Sequence, residues 1–159
     1  MLDRIWTQRL PEAGRLARRA ARSALKGAGR TSGKGEIGLV FGDDALLRRL
    51  NRTYRGIDKP TNVLSFAGEP RTPSGEAGSL GEVILARQTL VGEARAQRKP
   101  VADHLTHLVV HGVLHLLGYD HETDAEAERM ERLETAILAR LGIADPYAAP
   151  PRRRMTRRR

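Results

Sequence analysis

The chain contains no cysteine. That excludes disulfides and thiolate metal sites together, so any metal must be held by His, Asp or Glu. Aromatic residues are scarce, with two Phe, three Tyr and one Trp, which argues against an extensive platform for stacking single-stranded bases. No apolar run approaches the ~18 residues of a membrane span, so no membrane partner is expected. The N-terminus, MLDRIWTQRL, is charged where a secretory signal would be apolar. The expected compartment is the cytoplasm. No internal repeat is present.

What remains is the composition of a soluble globular protein. A chain of 159 residues, 40% hydrophobic and 30% charged, is long enough for one domain with a sizeable core. Its net charge of +9 is spread unevenly. Residues 1–34 hold nine Lys/Arg against two Asp/Glu, a surplus of +7, and RRRMTRRR at 152–159 adds six Arg, so the centre, 35–151, nets −4. Basic ends attract phosphate polymers through counterion release without reading sequence. A solvated, partnerless tail has the same composition.

Periodicity and breakers divide the chain. Pro11 and Gly27 bracket an amphipathic helix with Arg15, Arg18, Arg19, Arg22 and Lys26 on one face and Leu16, Ala20 and Ala24 on another. EIGLVF (36–41) reads as a strand, and Asp43 or Asp44 caps a helix through ALLRRLNRTYR. VLSF (63–66) and LGEVILA (80–86) are strands, expected to pair as a hairpin across the Gly/Pro-rich loop 67–79. Helices are expected over 87–98, 101–117 and 124–141, the last with Ala127, Met130, Leu133, Ile137 and Leu141 at helical spacing. MLDRIWTQ has a weak edge-strand pattern. The expected fold is α+β, a small mixed sheet covered by about five helices, with a metal site at the end of the central apolar helix. One domain is expected over 1–147, with an unstructured Arg-rich tail over 148–159.

All five histidines lie between 104 and 121, and HGVLHLLGYDH (111–121) holds three of them. On a helix, His104, His107, His111 and His115 fall within an arc of about 80°. The i, i+4 pair His111 and His115 puts two imidazoles on neighbouring turns, and a reversal at Gly118 lets His121 join them. Three imidazoles with one position open is the arrangement of a catalytic rather than a structural zinc site, and other imidazole-tolerant divalent metals fit the same donors. His104 is expected to face solvent in the first turn. His107 either lines the cleft or hydrogen-bonds behind the ligands. Asp120 is a candidate to orient a ligand imidazole.

The spacing H-x-x-x-H-x-x-G-x-x-H is also that of metzincin proteases, where the residue after the first His is the Glu general base. Gly112 stands there, so a zinc metalloprotease is an alternative only if another carboxylate, Asp120, Glu82 or Glu122, substitutes.

HGVLHLLGYDH resembles the signature of the bacterial YbeY family of single-strand-specific endoribonucleases, and NRTYRGIDKPTNVLSF (51–66) matches that family's second block. LGEVILA and AEAERMERLETAIL follow in the expected order, so the resemblance covers roughly 36–147. Glu82, where Asp is common, and Ala67, where Pro often follows LSF, are departures. The resemblance implies one Zn2+ at His111, His115 and His121, a functional Arg55, and a role in rRNA maturation, at the 16S rRNA 3′ end, and in ribosome quality control. It also implies the small ribosomal subunit, one of its proteins and an assembly GTPase as partners. Arg55 has a chemical rationale of its own: a guanidinium beside a Gly/Pro loop can grip a phosphate with two parallel hydrogen bonds, although it equally complements a helix C-terminus. Lys59 is a further candidate to hold the RNA backbone. A non-catalytic ribosome assembly factor with a structural metal is the remaining alternative.

Overall fold

The computed structural model describes residues 4–30, 35–69, 73–74 and 78–148. From 149 onward the Arg-rich tail, and the unstructured character expected of it, lie outside the described residues. Six helices and three strands make up the described chain.

The N-terminus departs from its edge-strand pattern and forms a short helix, α1 (Arg4–Arg9). The cause is the lone tryptophan. Trp6 is buried, its indole N–H donates to the Gly42 carbonyl at 2.9 Å, and its ring meets Phe41 edge-on at 5.3 Å. A tryptophan stabilises most when its body is covered and its N–H is bonded, and one helical turn delivers both.

The strands β1 (Glu36–Gly42), β2 (Val63–Ala67) and β3 (Ser79–Ala86) form a mixed sheet in the order β1-β3-β2. β3 runs parallel to β1 and antiparallel to β2, so the expected hairpin is formed. Val83 through Ala86 are all buried, as a strand flanked on both edges and covered on both faces must be. Alternation then sorts them. Val83 and Leu85 join the main core, whereas Ile84 and Ala86 join a second cluster with Leu47 and Leu64.

Leu47 belongs to α3 (Asp44–Arg55), which covers the second face. The main core lies on the other face, around α5 (Val101–Leu116). α2 (Ala13–Gly27) packs on α5 through Ala13, Ala17, Ala20, Ala21 and Ala24, all buried, and turns its Arg15, Arg18, Arg19, Arg22 and Lys26 outward. Small side chains on the inner stripe let the two helices approach closely. α4 (Arg87–Ala96) and α6 (Asp124–Arg140) complete the shell around α5. Each large apolar side chain buried there, such as Leu105, Leu114 or Ile137, contributes roughly 1.5–3 kcal/mol.

Candidate metal centre

α5 presents His104, His107, His111 and His115 along one stripe, and its end decides what they become. Gly118, at φ +95°, takes a conformation that glycine adopts without steric cost. The amide of Tyr119 returns to the Leu114 carbonyl at 3.1 Å, and the reversed chain brings His121 back over the last turn. The rings of His111 and His115 are 4.6 Å apart, those of His115 and His121 5.1 Å, and those of His111 and His121 5.9 Å. The Nε2 atoms of His111 and His115 face each other at 3.0 Å. One ligand nitrogen from each of the three lies within 4.8 Å of the others.

Behind them stands a residue that the sequence reading did not single out. Glu134 of α6 is fully buried. Its Oε1 is 2.5 Å from His111 Nδ1, and its Oε2 accepts from His107 Nε2 at 3.0 Å and from the Tyr147 hydroxyl at 2.5 Å. Burial alone would push this carboxyl up, but hydrogen bonds from His107 and His111, reinforced by Tyr147, hold it at about 2. It is therefore a carboxylate, which only accepts. His111 must carry its proton on Nδ1 and leave the Nε2 lone pair free. Burial, with His111 and His121 adding to it, lowers the His115 pKa and favours the neutral form that binds metal. Asp120 Oδ1 accepts from the His121 amide at 2.8 Å and lies 3.2 Å from His121 Nδ1, contacts that keep Asp120 below the usual carboxylate range.

These donors fit one divalent cation. The two Nε2 atoms stand 3.0 Å apart, close to the separation of about 3.3 Å for nitrogens sharing a tetrahedral zinc ion at about 2.0–2.1 Å. The carboxylate behind His111 is the usual second partner of a metal-binding imidazole.

The cluster opens into a cleft of about 840 Å³ lined by residues 61–67, the end of α3 and the turn after α5. β2 is an edge strand, so the cleft runs along its outer edge, where helices from opposite faces of the sheet meet. Arg55 and Tyr54 from α3 line it together with His111, His115, Asp120 and His121. Lys59 is exposed on the loop after α3, its carbonyl held by Asn51 at 2.9 Å, and is not among the lining residues. Glu122 lines the cleft, whereas Glu82, exposed on β3, is not among its lining residues.

Gly112 has a spatial explanation. A Cβ there would sit 2.7 Å from Val83 Cγ1 and 3.0 Å from Ser65 Oγ. The position is packed against the sheet, which leaves no room for a side chain there without displacing Val83 or Ser65. His104 corrects the expectation of a solvent-facing residue. It is 3% exposed, with Nε2 3.5 Å from Glu93 Oε2. α4 packs over the first turn of α5, and burial, then the charges of His107 and Lys99, push this imidazole down to about 4. Glu134 had a sequence signal after all. It follows Met130 by four residues and precedes Ile137 by three, which places an acid on the buried stripe of α6, where an unpaired carboxylate is rarely tolerated.

A family model described as Endoribonuclease YbeY matches residues 6–142. Endoribonuclease YbeY of Sinorhizobium fredii is 58% identical over 118 residues, 74% of this chain and 68% of that protein. The protein of the same name from Paramagnetospirillum magneticum is 52% identical over 147 residues, 89% of each chain. That from Rhodospirillum rubrum is 53% identical over 154 residues, covering 90% of this chain and 76% of the relative. The solution structure of TM1509 from Thermotoga maritima shares the fold, with a TM-score of 0.53 and 22% identity over 86% of this chain and 93% of that one.

Proposed function

Because the chain belongs to the Endoribonuclease YbeY family, we propose that its cleft cuts single-stranded ribosomal RNA, with one Zn2+ held by His111, His115 and His121. The protein is a metal-dependent endoribonuclease, a hydrolase of RNA phosphodiester bonds in rRNA processing. The finer reading is maturation of the 16S rRNA 3′ end and ribosome quality control in the cytoplasm, on the small subunit, beside one of its proteins and an assembly GTPase. Among the described residues no helix is long and apolar enough to cross a membrane.

One observation carries the reading: Arg55 and the three histidines line a single cleft although α3 and α5 lie on opposite faces of the sheet. Arg55 is exposed at the end of α3, where its guanidinium can take two oxygens of a phosphate and stabilise charge that builds up during cleavage. A divalent ion at the histidines supplies Lewis acidity to the phosphodiester and acidifies water. Glu134 and Asp120 hold the imidazoles of His111 and His121, and His107 supports Glu134. Tyr54, 67% exposed beside Arg55, offers a ring face to an unpaired base. The basic ends add affinity that is indifferent to sequence.

Metal content and cleavage of ribosomal RNA, measured together on three proteins, test this. His115→Ala is expected to lose both metal and cleavage, and Arg55→Ala to keep metal while cleavage falls at least ~100-fold, the scale of losing a transition-state donor. A His115→Ala protein that still cuts overturns the reading. Metal-loaded wild type that binds rRNA and never cuts it would point to the non-catalytic assembly role. The protease alternative has no support at position 112, which faces Val83 and Ser65.

A further inference from the structure

Three donors converge on the Glu134 carboxylate, and one of them comes from outside the helices that build the site. Tyr147 lies in the segment after α6, and that segment is fastened in place. The Ile143 amide bonds the Leu138 carbonyl at 2.9 Å. Asp145 Oδ1 accepts from the Tyr147 amide at 2.8 Å and from the Thr135 hydroxyl at 3.3 Å, a side-chain turn that sets the direction of the next two residues. The Tyr147 ring stands edge-on to His107 at 5.7 Å, and its hydroxyl reaches Glu134 Oε2. The residue as a whole is 44% exposed, whereas the carboxylate it touches is fully buried. The ring thus sits between Glu134 and solvent.

We propose that Tyr147 is a positioning residue for the metal centre, fixing the Glu134 carboxylate so that Oε1 holds His111 with its Nε2 turned toward the ion. A carboxylate's terminal torsion is broad and roughly two-fold. Glu134 keeps one orientation because His107 and Tyr147 occupy Oε2, leaving Oε1 to His111. Without the hydroxyl, His107 alone pins Oε2, and His111 loses part of the constraint on its ring.

The test is Zn2+ affinity by competition with a chromophoric chelator, together with thermal unfolding of the metal-free protein, for wild type, Tyr147→Phe, Glu134→Gln and the double variant. Loss of the direct partner in Glu134→Gln should weaken Zn2+ about 10–100-fold, and Tyr147→Phe, one contact further out, about three- to tenfold. Metal-free Tyr147→Phe should unfold a few degrees below wild type, because a buried carboxylate loses one of its three donors, so affinities are compared well below that transition, where both proteins are folded. The double variant should bind no more weakly than Glu134→Gln alone, because the tyrosine acts through the carboxylate. Tyr147→Phe binding as tightly as wild type, or its loss simply adding to that of Glu134→Gln, overturns the proposal. The proposal rests on the three-histidine reading, and the two fail differently. Wild type that binds no Zn2+ defeats that reading, whereas tight wild-type binding with an unaffected Tyr147→Phe defeats this inference alone.

Discussion

At the scale of single residues, Gly112 and His104 each do something that their side-chain chemistry alone does not suggest. Ser65 donates its hydroxyl to the Gly112 carbonyl at 2.9 Å, so α5 rests directly on the sheet. Val83, the atom group nearest an added Cβ, is fully buried and has little room to yield. Gly112→Ala is therefore expected to destabilise by about 1–3 kcal/mol through overpacking, less up to about 1 kcal/mol of helix propensity regained. A urea midpoint equal to wild type would show that Val83 gives way. His104 makes a pH-dependent contribution. Its pKa is lowered from 6.5 to about 4, so the unfolded chain takes up the proton first. The stability is complete above about pH 6.5 and falls as pH drops toward 4, by at most about 1.4 kcal/mol per unit. Glu134, lowered from 4.5 to about 2, adds its own loss only below 4.5, which leaves pH 4.5–6.5 to the histidines. His115 is lowered too, so the measurement is a comparison. In urea unfolding of metal-free protein, His104→Asn should lose less stability than wild type between pH 6.5 and 4.5. Equal slopes would mean that His104 titrates normally.

Elements were legible where their signals are local. The helices and strands follow from periodicity, and their ends from single residues: Asp43 as N-cap of α3, Gly118 and Gly142 at positive φ after α5 and α6. α1 was not legible, because six residues are too few to show a period and its cause, Trp6 bonded to Gly42, spans 36 positions. Glu134 escaped for a related reason. Its stripe position is local, but its partners His111 and His107 are 23 and 27 residues away on another helix. α3 carries at its end Arg55, the residue proposed to grip the phosphate. Its start is held by Asp43, which accepts from the Leu46 amide at 2.9 Å, and its side by Asp44, which accepts from the Thr89 amide and hydroxyl at 3.0 and 2.8 Å. Asp43→Ala should cost about 1 kcal/mol, roughly 2–4 °C in Tm for a chain of this size. Zn2+ content should be unchanged, since no histidine lies on α3. Scanning calorimetry with metal analysis checks both, and a loss of metal would show that α3 and the histidines are not independent.

In the whole molecule, the sheet explains why the site was readable as two motifs but not as one cleft. The 51–66 block spans the end of α3 and β2, the 111–121 block spans the end of α5 and the turn after it, and the edge position of β2 brings them together. The charge has a similar division. The cleft proposed to cut RNA lies in the segment that nets −4, while the surplus of +7 over 1–34 and the six arginines of 152–159 lie outside it in sequence. Binding and cleavage should therefore separate. Each cation that neutralises a phosphate of single-stranded RNA contributes about 0.7 to the slope of log affinity against log salt. A variant ending at residue 151 loses six Arg, so its slope should fall by up to about 4 if all six meet phosphate. Affinity should drop most at low salt, where counterion release is worth most, and turnover at saturating rRNA should stay at the wild-type level. Filter binding across a salt series, paired with single-turnover cleavage, measures both. An unchanged slope would move the electrostatic contact to the arginine face of α2, where Arg15, Arg18, Arg19, Arg22 and Lys26 stand exposed; a lost turnover would mean the tail reaches the cleft.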